Sequence, residues 1–295
     1  MATFAGICAV LLWGGLALLG SMTASIPAFQ LLFICFSISA VIMLVRRKLS
    51  GDALMTLPSL SITGWLAGIT GLFGFHFFYF MALKLAPAME VSLIVYLWPL
   101  LLTVFVAKSG RRLQATTGGI LGFTGIALVI INSQTSSTPS LIDSQNAIYG
   151  YLFAFSCAFI WSGYSWYLSR SPGKSDDIGW LSIVVAALSL IAHSLSEDSH
   201  WSWSASEWFG ALLLGLGPVG GAFYLWDLGM RKGNQTLLAS FSFAAPLITA
   251  ISLALAGLND WSTEIIIALV LVMLGAGIAN YSPRESDSAE LQNQV

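Results

Sequence analysis

Between residues 3 and 280 long apolar runs alternate with short polar breaks, and the runs match the length an α-helix needs to cross a bilayer, about 20 mainly apolar residues. Ten runs meet that requirement: 3–20, 28–45, 59–81, 89–107, 116–132, 147–168, 178–194, 207–229, 235–257 and 263–280. The pattern predicts an all-α polytopic membrane protein. The run that starts near Met1 has no basic leader and no small-residue cleavage site, so it reads as a retained span rather than a signal peptide. The shortest runs, 116–132 and 178–194, are expected to tilt little.

One stretch organises the rest. Residues 76–101 read HFFYFMALKLAPAMEVSLIVYLWPLL, two apolar runs separated by a break at Lys84 to Ala88 that contains Pro87. About 147 positions further on, residues 222–248 read AFYLWDLGMRKGNQTLLASFSFAAPLI, with Trp226 near the place of Tyr79 and Pro246 in the place of Pro99. Trp13 pairs in the same way with Trp161, and Gly125 with Gly275. The chain therefore divides into two units of five spans, 1–132 and 147–281, joined by an outer linker at 133–146 and followed by a loose polar tail at 282–295. Because five is odd, the second unit enters the membrane from the opposite side, and the repeat is inverted. Such repeats build many secondary transporters, with the ligand bound near midplane between the halves.

Composition and charge sharpen this picture. The chain is 57% hydrophobic and 9% charged, against about 25% charged in soluble domains, so lipid must be its main solvent. With the amino terminus inside, ten spans place Arg46, Arg47, Lys48, Lys108, Arg111, Arg112, Arg170, Lys174, Arg231, Lys232 and Arg284 inside, leaving only Lys84 of the 12 basic residues outside. That asymmetry sets the orientation and puts both termini in the cytoplasm. The outer loops carry Asp143, Glu197, Asp198, Asp260 and Glu264. The net charge of −2 and the scatter of the basic residues argue against a nucleic-acid partner. Cys8, Cys35 and Cys157 lie in apolar runs without metal-ligand spacing. No metal and no cofactor are expected.

Polar groups inside spans are costly and need a partner or a task. His76 and Tyr79 share a helical face. In the next span Tyr96 and Trp98 precede Pro99, which removes an amide donor, frees a carbonyl near Val95 and breaks or bends the helix locally. The ninth span offers Ser240, Phe243 and Pro246 on one face. Trp161 and Trp13 stand mid-run beside small residues. The candidate substrate-binding set is His76, Tyr79, Tyr96, Trp98, Pro99, Trp161, Ser240, Phe243 and Pro246. Trp13, Glu90, Trp226 and Asp227 are candidates for gating or coupling: Glu90 lies near the outer end of its span beside Lys84, and Asp227 stands four residues before Arg231, the spacing of an inner-gate ion pair. Gly64, Gly68 and Gly71, Gly118, Gly122 and Gly125, and Gly217 and Gly221 are expected to pack helices tightly within each half. Trp201 and Trp203 in the outer loop 194–206 read as an interfacial anchor.

The YxxALKxAPAxEVSLIxYLWPLL segment at 79–101 and IWSGYSWY at 160–167 resemble the drug/metabolite transporter superfamily, EamA-type branch, and within it the bacterial inner-membrane exporters of aromatic amino acids. The resemblance spans nearly the whole chain. It implies export of aromatic and other neutral amino acids by alternating access through a central cavity faced by His76, Tyr79, Tyr96, Trp98 and Trp161. Separately, the protein is expected to function as a monomer. Export of another small metabolite or drug-like solute by the same fold, or a non-transporting structural or sensory role, are the alternatives. An embedded enzyme would show clustered carboxylates or a nucleophile with its base, whereas the three histidines here are scattered. A channel would carry a filter or a ring of charges. No nucleotide-binding GxxxxGK[ST] segment is present. If transport is coupled to protons, His76 and Glu90 are the candidate titrating residues.

Overall fold

The structure is a computed structural model that describes residues 1–133, 144–199, 201–257 and 263–281. Every regular element among these residues is helical. The first half comprises α1 (Ala2–Gly14), α2 (Leu16–Ser21), α3 (Ala28–Ser50), α4 (Ile62–Ile69) running through a π-turn at Thr70–Gly74 into α5 (Phe75–Leu85), α6 (Ala88–Val95), α7 (Leu97–Val106) and α8 (Arg112–Ser133). The second comprises α9 (Ser144–Leu168), α10 (Asp177–Ser196), α11 (Ala205–Leu216), α12 (Gly221–Lys232), α13 (Gln235–Phe241), α14 (Ala244–Leu255) and α15 (Thr263–Asn280). Among the described residues six helical stretches are long and apolar enough to cross a membrane: Ala2–Ser21, Ala28–Ser50, Ile62–Leu85, Ala147–Leu168, Asp177–Ser196 and Ala205–Lys232. The α13–α14 pair, bent by 41°, makes a seventh if it is one span, and Glu90–Val106 and Ile265–Asn280 are shorter apolar stretches.

Several runs that the sequence presents as continuous are broken, and each break has a cause. The run 89–107 stops at Val95 and restarts at Leu97, so Pro99 occupies the third position of α7, where its missing N–H costs least. The run 235–257 breaks at Ser242 and Phe243, which leaves Pro246 in the same third position of α14. Between α11 and α12 the chain passes through Gly217–Pro218–Val219–Gly220, with the Ala222 amide donating to the Gly217 carbonyl at 2.8 Å. About 147 positions earlier in the chain stands the π-turn at Thr70–Gly74, which contains Gly71 and Gly74. Gly51 closes α3 in the left-handed region at φ 74°, where a side chain would be strained.

Gly68, Gly71, Gly118, Gly122 and Gly125 pack against second-half residues rather than within the first half, contrary to the expectation from spacing, while Gly217 and Gly221 stay closest to the backbone of their own half. A methyl at Gly118 would overlap the Gly275 carbonyl, one at Gly71 the ring of Tyr164, one at Gly68 the side chain of Leu181, and one at Gly122 the ring of Phe243. The physical reason is that first-half helices pack against second-half helices: α3 on α10, α8 on α15, α1 on α12. Ser39 and Ser182 meet at 2.9 Å across the α3–α10 contact. In the α8–α15 contact Gly118 faces Gly275 and Gly125 faces Ala268. These two contacts exchange under a shift of about 150 positions in the chain.

The two ends of the bundle differ in charge. At one end Arg46 and Arg47 meet Asp176, Arg231 meets Asp227, and Gln114 donates to the Ile278 and Tyr281 carbonyls. At the other Glu197 accepts from the Phe29 and Gln30 amides, Ser25 bonds Glu207, and Tyr151 bonds Glu90. Glu90 thus finds Tyr151 rather than Lys84. Trp203 is buried beside Ile26 and Ala211, which leaves Trp201 alone half exposed in that loop; the two-tryptophan surface anchor is corrected to one. Asp143, His200, Asp260, Arg284, residues 134–143 of the linker and the tail 282–295 lie outside the described residues.

Candidate functional site

A cavity of about 640 Å³ lies between the halves. Toward the end that holds Glu90 and Glu197 it is lined by Thr23, Ala24, Ile26 and Leu83, and its floor, on the side of Trp226, is formed by Trp13, Trp98 and Trp161. Phe75, His76, Tyr79 and Phe80 of α5 line it, together with Ser92 and Val95 of α6 and Tyr96 in the break that follows. Leu32 and Cys35 of α3 and Phe223 of α12 complete this part of the lining. None of the described lining residues is Asp, Glu, Lys or Arg. Such a surface suits a solute with an apolar body and a few polar groups.

The floor is a mutual packing of indoles. Trp13 meets Trp226 at 5.1 Å and Trp161 at 5.6 Å, and Trp98 lies 6.2 Å from Trp161, at angles far from face-to-face stacking. Offset and edge contacts of this kind contribute about 0.5–1.5 kcal/mol each beyond the area buried. Two of the indole N–H groups hold the layer in place: Trp13 donates to the Pro218 carbonyl at 3.0 Å, and Trp226 to the Ser165 hydroxyl at 3.0 Å. The first bond ties α1 to the broken turn between α11 and α12, so the floor and the break are one construction.

His76 is oriented by its own helix. Its Nδ1 lies 2.6 Å from the Leu72 carbonyl, inside the π-turn. A carbonyl only accepts, so Nδ1 carries the proton, and in the neutral ring Nε2 is left as an acceptor. Phe36 and Phe223 pack edge-on against the imidazole.

His76, Tyr79, Tyr96, Trp98 and Trp161 all line the cavity, and so does Trp13. The structure does not bring Pro99, Ser240, Phe243 or Pro246 into that lining. Ser240 donates to the Thr236 carbonyl at 3.0 Å and accepts from Asn280 at 3.2 Å. Phe243 belongs to a separate cluster with Ile126 and Leu247. Glu90, Trp226 and Asp227 are also outside the lining: Glu90 bonds Tyr151, and Trp226 lies beneath the floor. Phe223, Ala245, Ser92 and Thr23 line the cavity without having been singled out. The repeat carried a signal for two of them, since Phe223 stands about 147 positions after His76, and Ala245 as far after Trp98.

Residues 148–281 match the EamA-like transporter family. The aromatic amino acid exporter YddG of Ancylobacter novellus is 38% identical over 96% of this chain and 98% of its own length. The chain belongs to the EamA-like transporter family. The YddG exporter of Salmonella typhimurium is 26% identical over 64% of the chain and 66% of its own length, and the uncharacterized transporter YyaM of Bacillus subtilis 24% over 81% and 80%. A solved crystal structure at 38% identity superposes with a TM-score of 0.84 over 95% of this chain and 96% of that one. This EamA-like transporter is a multi-pass membrane protein.

At its basic end the EamA-like bundle is tied together by charge. Arg231 donates to Asp227 at 2.8 Å and to the Ser171 carbonyl at 2.6 Å, while Asp227 accepts from Ser175 at 2.9 Å. The same connection between α9 and α10 is held on its other side, where Asp177 accepts from the Ser59 amide and hydroxyl at 2.9 and 2.6 Å. Residues 171–177 are thereby clamped between α12 and the segment that follows α3. No cluster of three or more His, Cys, Asp or Glu residues that could hold a metal occurs among the described residues.

Proposed function

We propose that this transporter exports aromatic and other neutral amino acids across a bacterial inner membrane, by alternating access through the cavity between its halves. The observation that carries the reading is a charge-free, indole-floored cavity of about 640 Å³ in a chain 38% identical to an aromatic amino acid exporter. In this reading the chain has ten spans in two inverted units, 1–132 and 147–281, with 133–146 a periplasmic linker and both termini, including the tail 282–295, in the cytoplasm. The exchanging Gly118–Gly275 and Gly125–Ala268 contacts support the two-fold relation, and so do the breaks placed three residues before Pro99 and Pro246. The basic end formed by Arg46, Arg47 and Arg231 supports the orientation. The mouth of the cavity, beside Thr23, Ala24, Ile26 and Leu83, then faces outward, and the clamped connection at 171–177 closes the inner side.

The substrate side chain lies on Trp98, Trp161 and Tyr79. Its ammonium donates to Nε2 of His76 and the hydroxyls of Ser92 and Tyr96, and its carboxylate faces the N-terminus of α7, which begins beside Tyr96 and carries partial positive charge. Trp13 and Trp226 beneath the site, with Asp227, form the barrier that must part. A pocket of this kind separates apolar side chains weakly, about 1–3 kcal/mol per methylene, so the range is broad. The protein works as a monomer without a cofactor. Uptake of a panel of labelled amino acids into vesicles of purified protein tests the reading, with and without an imposed pH gradient. Transport of phenylalanine, tyrosine and tryptophan with methionine or threonine also moved is the expected result. Transport of none by folded, inserted protein overturns it, and a range confined to non-amino-acid solutes favours the metabolite alternative. Accumulation that follows the gradient assigns proton coupling, and indifference assigns facilitated diffusion.

A further inference from the structure

An α-amino acid is a zwitterion, yet the described cavity lining carries no formal charge. Charge lies one layer deeper. Next to Trp226 in the chain stands Asp227, whose ion pair with Arg231 leaves the two side chains only 1% and 6% exposed. Both keep a second polar contact, Arg231 to the Ser171 carbonyl and Asp227 to the Ser175 hydroxyl. On α9, one turn from Trp161 toward this pair, Tyr164 is buried with its ring 5.7 Å from the Trp161 ring. Its hydroxyl has no hydrogen-bond partner among the described residues, and the residue after it, Ser165, accepts from the indole of Trp226, the residue before Asp227, at 3.0 Å. An unbonded buried hydroxyl is costly, so it marks a place that another polar group fills.

We propose that Asp227, Arg231 and Tyr164 form an inner-face subsite for zwitterionic α-amino acids, distinct from the outer cavity. This inference rests on the proposed export of amino acids. In the conformation seen here the two charges satisfy each other. When the 171–177 connection moves away, Arg231 takes the substrate carboxylate, Asp227 its ammonium and Tyr164 a remaining carboxylate lone pair, with Trp226 and Trp161 against the side chain. Exchanging one internal pair for two substrate pairs leaves no buried charge alone. An amine without a carboxylate leaves Arg231 unpaired, and an acid without an amine leaves Asp227 unpaired, each at a large desolvation cost. The inner face therefore selects zwitterions, while the outer cavity reads mainly the apolar body. Binding and opening are also linked, because the substrate gains its ionic contacts only when the internal pair separates.

The test compares half-saturation concentrations at the two faces, using inside-out membrane vesicles and right-side-out vesicles. Labelled phenylalanine and phenethylamine, which lacks the carboxylate, are the probes. For Asp227→Asn/Arg231→Gln the preference for phenylalanine over phenethylamine, taken as the ratio of their half-saturation concentrations so that a shift between conformations cancels, is expected to fall about tenfold or more at the inner face and to stay within about twofold at the outer face. Arg231→Lys, which keeps the charge, retains most of the preference. Tyr164→Phe removes a hydroxyl that bonds nothing here, so it leaves the fold intact and lowers the inner-face preference about threefold. Equal falls at both faces, or no fall at the inner face, overturn the subsite and leave a structural latch. If the double variant fails to insert, Tyr164→Phe decides, and an unchanged inner-face preference overturns the proposal. Wild-type protein that moves no amino acid from either face would instead remove the functional reading, and this subsite with it.

Discussion

The two ends of the molecule solve opposite problems with opposite chemistry. At one end Thr23, Ala24, Ile26 and Leu83 line the cavity, where the proposed mouth lies, with no charged residue among the described lining, and the acidic residues nearby are tied back into the fold, Glu197 to the amides that start α3 and Glu90 to Tyr151. At the other end the connection at 171–177 is held from two sides by Asp227, Arg231, Ser59 and Asp177. An opening must let go of its neighbours cheaply, and weak apolar contacts do that. A seal must hold until something replaces its bonds, and buried charge does that, because separating such a pair without a substitute is costly. The tryptophan floor divides the two regimes.

The largest effect is expected where the seal is broken at one partner. Asp227→Leu strands the Arg231 guanidinium and is expected to destabilise the protein by about 3–5 kcal/mol, read as a lowered thermal midpoint in detergent. A midpoint within a degree or two of wild type would mean the pair bears no load. Next comes the floor. Trp161→Ala removes an indole that touches Trp13, Trp98 and Phe223, and phenylalanine uptake is expected to fall about tenfold, while Trp161→Phe keeps most of it. Equal loss in both variants would give the indole a role beyond packing against substrate. The mouth is expected to respond least. Tyr151→Phe removes the bond to Glu90 and is expected to cost about 0.5–1.5 kcal/mol with little change in uptake. A loss of transport as deep as that of the floor variant would erase the contrast between the ends.

Much of this was legible in the chain. Run lengths marked an all-helical chain with several helices of bilayer length, and Arg46, Arg47 and Arg231 gather at one end. His76 and Tyr79 on α5 and Tyr96 just after α6 line the cavity, as expected of polar groups on spans that offer them no other partner. The ninth span resisted the same treatment. Ser240, Phe243 and Pro246 share a face if the helix is continuous, but it breaks at Ser242 and Phe243, and that turn rotates Phe243 into the cluster with Ile126 and sends Ser240 to Asn280. Periodicity within a run cannot foresee a change of phase inside it. Glycine spacing failed for a related reason: it marks where helices come close without naming the partner. Tyr164 left no mark in the sequence, because a tyrosine between Trp161 and Tyr167 reads as one more aromatic in an apolar span. Its unpaired hydroxyl emerges only once the neighbouring helices are in place.

The central claim is that the cavity faces outward above a closed floor, and labelling of single cysteines tests it most directly. With Cys8, Cys35 and Cys157 replaced, Ser92→Cys probes the cavity lining and Ser165→Cys the layer beneath Trp226. Intact cells are treated with a membrane-impermeant thiol reagent, with and without saturating phenylalanine. The account predicts that the cysteine at 92 is labelled from outside and protected by phenylalanine, while the cysteine at 165 stays unlabelled. Outside labelling at 165, or a cysteine at 92 that reacts only in inside-out vesicles, would contradict it.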